Sequence, residues 1–163
     1  MQIGRYFLQR NEVDQAVQYL RKSIELGPGR WEAHMSLGKA YMNLGMDKEA
    51  IDQFQEVSRL APQEAAQAYE MLGEIFARKK GRSVQNTKVW FQHAADMYVK
   101  KDLSADATRA YLRILDLEPD NRDILHALGD LYAKQERLQE AVETYRKLAG
   151  LYADNKPLDK VIN

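Results

Sequence analysis

Cysteine is absent from all 163 residues. Disulfides and thiolate chemistry are therefore excluded. The absence suits a reducing compartment and leans weakly towards the cytoplasm, but fixes no location. Net charge is also missing, because 24 Lys and Arg balance 24 Asp and Glu. Nucleic acids and anionic membranes select basic surfaces, so neither is expected as the main partner. No apolar run approaches the roughly 20 residues that cross a bilayer. The first five residues, Met1 to Arg5, lack the charged and apolar regions of a signal peptide. No Gly-rich phosphate loop, nucleophile elbow or metal motif occurs. The three histidines, His34, His93 and His126, lack metal-ligand spacing. Neither an enzymatic activity nor a cofactor is expected.

What remains is a well-solvated chain with a sizeable apolar complement. Hydrophobic residues make up 45% and charged residues 29%, close to an ordinary globular domain. Apolar residues recur at i, i+3, i+4 and i+7, as in Ala16-Val17, Leu20 and Ile24, and in Ala107, Tyr111, Ile114 and Leu115. That is helical spacing. No segment alternates with strand period over a useful length.

The sequence repeats itself. Gly38 is followed by Tyr41, Ala50, Phe54 and Pro62. Gly4 is followed at the same offsets by Phe7, Ala16, Leu20 and Pro28. Ala95 leads Tyr98, Ala107, Tyr111 and Pro119, and Gly129 leads Tyr132, Ala141 and Tyr145. Gly4 to Gly38 is 34 residues, as is Ala95 to Gly129. Small residues allow two helices to approach closely, aromatics fill the gap between them, and each proline stops the second helix.

A 34-residue period carrying these landmarks resembles the tetratricopeptide repeat family. The resemblance covers nearly the whole chain. It implies an all-α fold, a right-handed superhelical solenoid of antiparallel helix pairs. The family's Trp position in the first helix falls on His34, Tyr69, Phe91 and Leu125.

Helices are predicted at about 2–10, 13–26, 31–44, 47–60, 65–79, 88–101, 104–118, 122–135 and 138–152. Their odd number is explained after Leu72-Gly73 and Phe76. Where the frame calls for a second helix, Gly81 to Thr87 reads as a loop, and an irregular extra helix follows near 88–101. Residues 151–161 also match 131–141 at an offset of 20. We read repeats at about 1–30 and 31–64, a three-helix unit at 66–121 whose middle helix is shared, and a unit at 122–163 that is cut short. The chain is thus expected to be a fragment of a longer array, with its axis turning near 80–88.

In the resembled family, first helices line a concave groove, and repeat positions 2, 5, 9, 12 and 13 meet partners. Carried across, the resemblance implies Arg5, Leu8 and Gln9, then Glu32, Met35, Lys39, Met42 and Asn43. It next implies Gln67, Glu70, Glu74 and Arg78, then Gln92, Asp96 and Lys100, and finally Asp123, His126, Asp130 and Lys134. Long polar chains beside methionine suit an adaptable protein-binding surface. Some family members clamp a carboxylate with Lys and Asn at positions 5 and 9. Those positions are Met35 and Lys39 here, so that clamp is not expected. Arg78-Lys79-Lys80-Gly81-Arg82 reads as a solvated loop at a helix C-terminus. His126 and Asp130 read as a surface pair, and Trp31 and Trp90 as packing residues.

The expected function is a scaffold or adaptor holding a partner peptide or helix in the groove. The alternatives are a self-assembling array, pairing through exposed end helices such as the segment carrying Leu158 and Val161, or a regulatory arm of a larger protein.

Overall fold

The computed structural model describes residues 2–78 and 84–153. The described residues are helical and contain no strand. The helices are α1 (Gln2–Gln9), α2 (Val13–Leu26), α3 (Trp31–Asn43), α4 (Asp47–Leu60), α5 (Ala66–Arg78), α6 (Val84–Lys100), α7 (Ser104–Leu115), α8 (Arg122–Lys134) and α9 (Leu138–Ala153). A short 3-10 turn, Pro62–Glu64, precedes α5. Packing divides the chain into two compact units, residues 1–97 and 98–163, with the division falling within α6.

Four hairpins, α1–α2, α3–α4, α5–α6 and α8–α9, are locked by the glycine of the repeat. A Cβ added at Gly4 would lie 2.6 Å from the Leu20 side chain, and one at Gly38 2.6 Å from Phe54. The corresponding distances are 2.8 Å from Gly73 to Phe91 and 2.7 Å from Gly129 to Tyr145. The missing side chain is thus what lets the opening helix of each hairpin meet the large residue of the closing one. Phe91 places α6 against α5 as a closing helix.

The turns repeat as closely as the contacts. Asn11, Gly45, Asp102 and Glu136 all have positive φ, between 57° and 71°. Around Gly45, the Gly45 N–H donates to the Met42 carbonyl and the Met46 N–H to that of Tyr41. The same pair of bonds recurs at Asn11, Asp102 and Glu136. This pattern satisfies the last carbonyls of a helix and reverses the chain. Its occurrence at Asp102 means that α6 ends as an opening helix does, although it packs as a closing one.

In the first unit, Leu20, Tyr41, Phe54, Leu72 and Ile75 belong to one buried cluster. Burying each such side chain contributes roughly 1.5–3 kcal/mol. In the second unit, Ala107, Ala110, Ile114, Leu125 and Leu128 are buried. Asn121 caps α8 by accepting the Ile124 N–H at 3.1 Å, an interaction typically worth about 1 kcal/mol.

Two expectations need correction. Val84 to Thr87 form the first turn of α6 rather than a loop. Thr87 is fully buried there, and packing outweighs its modest helix propensity. Helix α7 ends at Leu115, not near 118. Glu118 precedes Pro119, and the proline ring disfavours helical backbone in the residue before it. Most of the basic run and the start of the 80–88 segment, where the axis was expected to turn, lie outside the described residues. So do Leu158 and Val161.

Candidate partner-binding site

A cleft of about 330 Å³ opens on the first unit. Helix α1 contributes Arg5, Leu8 and Gln9 to it, α3 contributes Trp31, Glu32, Met35, Ser36 and Lys39, and α5 contributes Gln67. The three are opening helices, and helical spacing puts these side chains on one face of each. Ser36 turns its hydroxyl back to the Glu32 carbonyl at 2.8 Å. Met35 is buried, with 6% exposure, and supplies an apolar floor.

Lys39 dominates the electrostatics. Its Nζ donates to the Gln67 side-chain oxygen at 3.1 Å, a neutral partner, and it forms no ion pair among the described residues. Burial first, and the Arg5 guanidinium second, hold its ammonium below the ordinary lysine value, while Glu70 pulls the other way. The Arg5 side chain also forms no ion pair or hydrogen bond among the described residues. A half-buried cation beside a second cation, with the Glu70 carboxylate acting on it less strongly than Arg5 does, is an anion-accepting arrangement.

The remaining candidates divide. Glu70 is buried, at 5% exposure, so it faces the interior rather than a free groove. Met42 is half-buried, and Asn43 is exposed. Arg78 pairs with Asp47 at the entry of α4. Lys134 pairs with Asp102 at 2.5 Å, just before α7. Arg78 therefore ties α5 to α4, and Lys134 ties α8 to the turn that enters α7. Gln92 donates to Asp96 at 2.9 Å along α6. Glu74 is half-buried and Lys100 exposed. His126 lies 3.2 Å from Asp130, which also accepts the Tyr145 hydroxyl at 2.5 Å. That bond raises the Tyr145 phenol above its ordinary value. The pair is an exposed surface contact, as its spacing suggested. Among the described residues no three metal-ligating side chains converge.

Sequence reasoning missed two features. Trp31 and Ser36 line the cleft, although Trp31 reads as a packing residue by type alone. Position 9 of the successive opening frames also runs Arg5, Lys39, Glu74, Asp96, Asp130. The change of sign from the second frame to the third was legible and would have singled out the first two frames. His34, at the family's Trp position, is buried and bridges the hairpin. Its Nε2 donates to the Pro28 carbonyl at 3.1 Å, and its Nδ1 meets the Gln53 side chain at 2.9 Å.

A model of the tetratricopeptide repeat family matches residues 1–65 and 94–156. Among solved structures the chain is similar to MamA of Desulfovibrio magneticus RS-1, with 18% identity, 96% of this chain and 94% of that one covered, and a TM-score of 0.53. It is similar to YrrB, a TPR protein with an unusual peptide-binding site, with 20% identity, 95% and 86% covered, and a TM-score of 0.53. It is also similar to PilF of Pseudomonas aeruginosa, with 19% identity, 91% and 73% covered, and a TM-score of 0.51. At such identities the likeness concerns the fold. No match was found among curated proteins.

Proposed function

This chain belongs to the tetratricopeptide repeat family, and from that premise we propose that it is a protein-interaction scaffold whose first unit holds an extended partner segment by an acidic residue. The observation that carries this reading is Lys39. Its ammonium is half-buried, bonded to a neutral amide, and adjacent to an unpaired Arg5. A carboxylate from a partner would add counter-charge beyond what Glu70 supplies. Trp31, Leu8 and the Met35 floor would take apolar side chains flanking it. Helices already ordered before binding limit the entropy that association costs. YrrB, a structural neighbour, is a TPR protein with an unusual peptide-binding site, which supports a peptide-holding role for this fold.

The test is selection of a random peptide library on the purified chain. Recovered sequences should be enriched in Asp or Glu next to apolar residues. Lys39→Met should weaken a selected peptide by tenfold or more, about 1.4 kcal/mol, and Arg5→Gln by less. A bound carboxylate raises the Lys39 value. Binding therefore takes up protons, and affinity should fall as pH rises through that value. Peptides without acids, or affinity indifferent to Lys39, would move the site elsewhere.

A further inference from the structure

The Lys39 amine carries a chemistry that partner binding does not use. It lines an open cleft of about 330 Å³, and its Nζ donates to the neutral Gln67 side-chain oxygen at 3.1 Å. Burial, and then the Arg5 guanidinium on α1, disfavour its charge, and Glu70 on α5 opposes them less strongly. Glu32, on the same helix as Lys39, also lines the cleft and forms no ion pair with it among the described residues. More of this amine is therefore uncharged near neutral pH than of an ordinary lysine. A desolvated lysine beside a second cation is an activated nucleophile. Arg5 adds a docking point. It is exposed, and a reagent bearing a carboxylate would pair with it next to the amine. The chain has no cysteine, so no thiol competes for an acyl donor.

We propose that this cleft is a modification site, at which Lys39 takes an acyl group from a thioester whose acyl chain ends in a free carboxylate. Arg5 holds that carboxylate while the uncharged Nζ attacks the thioester carbonyl. An N–C bond forms and the C–S bond breaks. The sulfur leaves as a thiol, carrying the proton that the nitrogen sheds. The product is a neutral amide whose carboxylate end stays beside Arg5. It occupies the place assigned above to a partner's acidic residue, so acylation switches capture off. This switching rests on the partner reading; the acyl transfer does not.

Succinyl and acetyl thioesters of N-acetylcysteamine are the probes, with labelling of the whole chain followed lysine by lysine by peptide mass spectrometry. With the succinyl donor near neutral pH, Lys39 should outpace the exposed Lys48 and Lys100 by roughly tenfold. The lead should be smaller with the acetyl donor, which gives Arg5 nothing to hold. Arg5→Gln should reduce the succinyl lead to the acetyl one. Gln67→Glu gives the amine a counter-charge and should slow Lys39 with both donors. The lead should also shrink as pH rises towards about 10, where lysines in general lose their charge. Mere accessibility would leave it constant. Lys39 labelled no faster than Lys48 overturns the proposal, as does a succinyl lead that survives Arg5→Gln. Chain succinylated at Lys39 should bind a selected acidic peptide about tenfold more weakly, and unweakened binding overturns the switch. The labelling uses no peptide, so its failure is distinct from a failure of peptide selection.

Discussion

The hairpins α3–α4 and α8–α9 are built from the same plan and have different fates. In both, a glycine on the first helix meets an aromatic ring on the second, and the turn between them carries a residue with positive φ. Phe54 is completely enclosed, whereas Tyr145 keeps a third of its surface and spends its hydroxyl on Asp130. The motif therefore dictates how a hairpin closes. The helix that follows decides how much energy the closure stores. Within a repeat fold, stability is shared between the repeat and its neighbour, and these hairpins separate the two shares.

Truncating the ring should give the largest effect. Phe54→Ala should cost about 4 kcal/mol, since the residue is fully buried and its cavity cannot collapse far. Tyr145→Ala should cost about 1 kcal/mol, mostly one hydrogen bond and half-exposed ring contacts. Chemical denaturation of both variants measures the difference. Equal costs would mean that the enclosure of Phe54 by α5 contributes little.

Filling the glycine comes next. Gly38→Ala pushes a methyl to 2.6 Å from a ring with nowhere to go, and overpacking of this kind costs about 2 kcal/mol. Gly129→Ala meets Tyr145 almost as closely, at 2.7 Å. That ring can swing into solvent, and alanine gains about 1 kcal/mol of helix propensity over glycine. A near-neutral change is expected there. A large loss at Gly129 would show that Tyr145 is held firmly at the surface.

The turns provide a crossed pair of smaller effects. Gly45 occupies its left-handed position at no steric cost, whereas Glu136 pays for the same conformation. Gly45→Ala should destabilise by about 1 kcal/mol and Glu136→Gly should stabilise by a similar amount. Opposite signs in thermal melts check this. Equal signs would mean that the Glu136 side chain contributes something that the backbone does not reveal.

Most of this architecture was legible in the sequence. The 34-residue period placed the glycines, the aromatics and nearly every helix, because those residues are constrained by contacts inside a hairpin. The left-handed turns were hidden wherever the residue was Asn11, Asp102 or Glu136, since none of these is required by the turn and only Gly45 announces it. The start of α6 was hidden because Val84 to Thr87 look extended locally and are helical by packing. Phe91 of α6 meets Gly73 and the left-handed Asp102 follows the end of the helix, and the Ala95 frame marked only the second of these features. The candidate groove was legible by position but not by partner. Arg78 and Lys134 sit at groove positions and are spent on ion pairs, which no spacing could reveal.

Those ion pairs give the smallest effect and the finest discrimination. Asp47 keeps 26% of its side-chain surface, while Asp102 keeps 76%. Attraction across a surface pair is weak and screened by salt, and partial burial strengthens it. Arg78→Ala should therefore cost up to about 1 kcal/mol, and Lys134→Ala less. Lys134 holds the Asp102 carboxyl below its ordinary value. A depressed carboxylate adds stability above its unfolded value and loses it as pH falls through the folded one. The Lys134→Ala deficit should therefore shrink below about pH 4 and in high salt. A deficit that survives both would mean that the aliphatic stem of Lys134 is packing across the junction, and the cation would then be structural in the second unit as it is in the first.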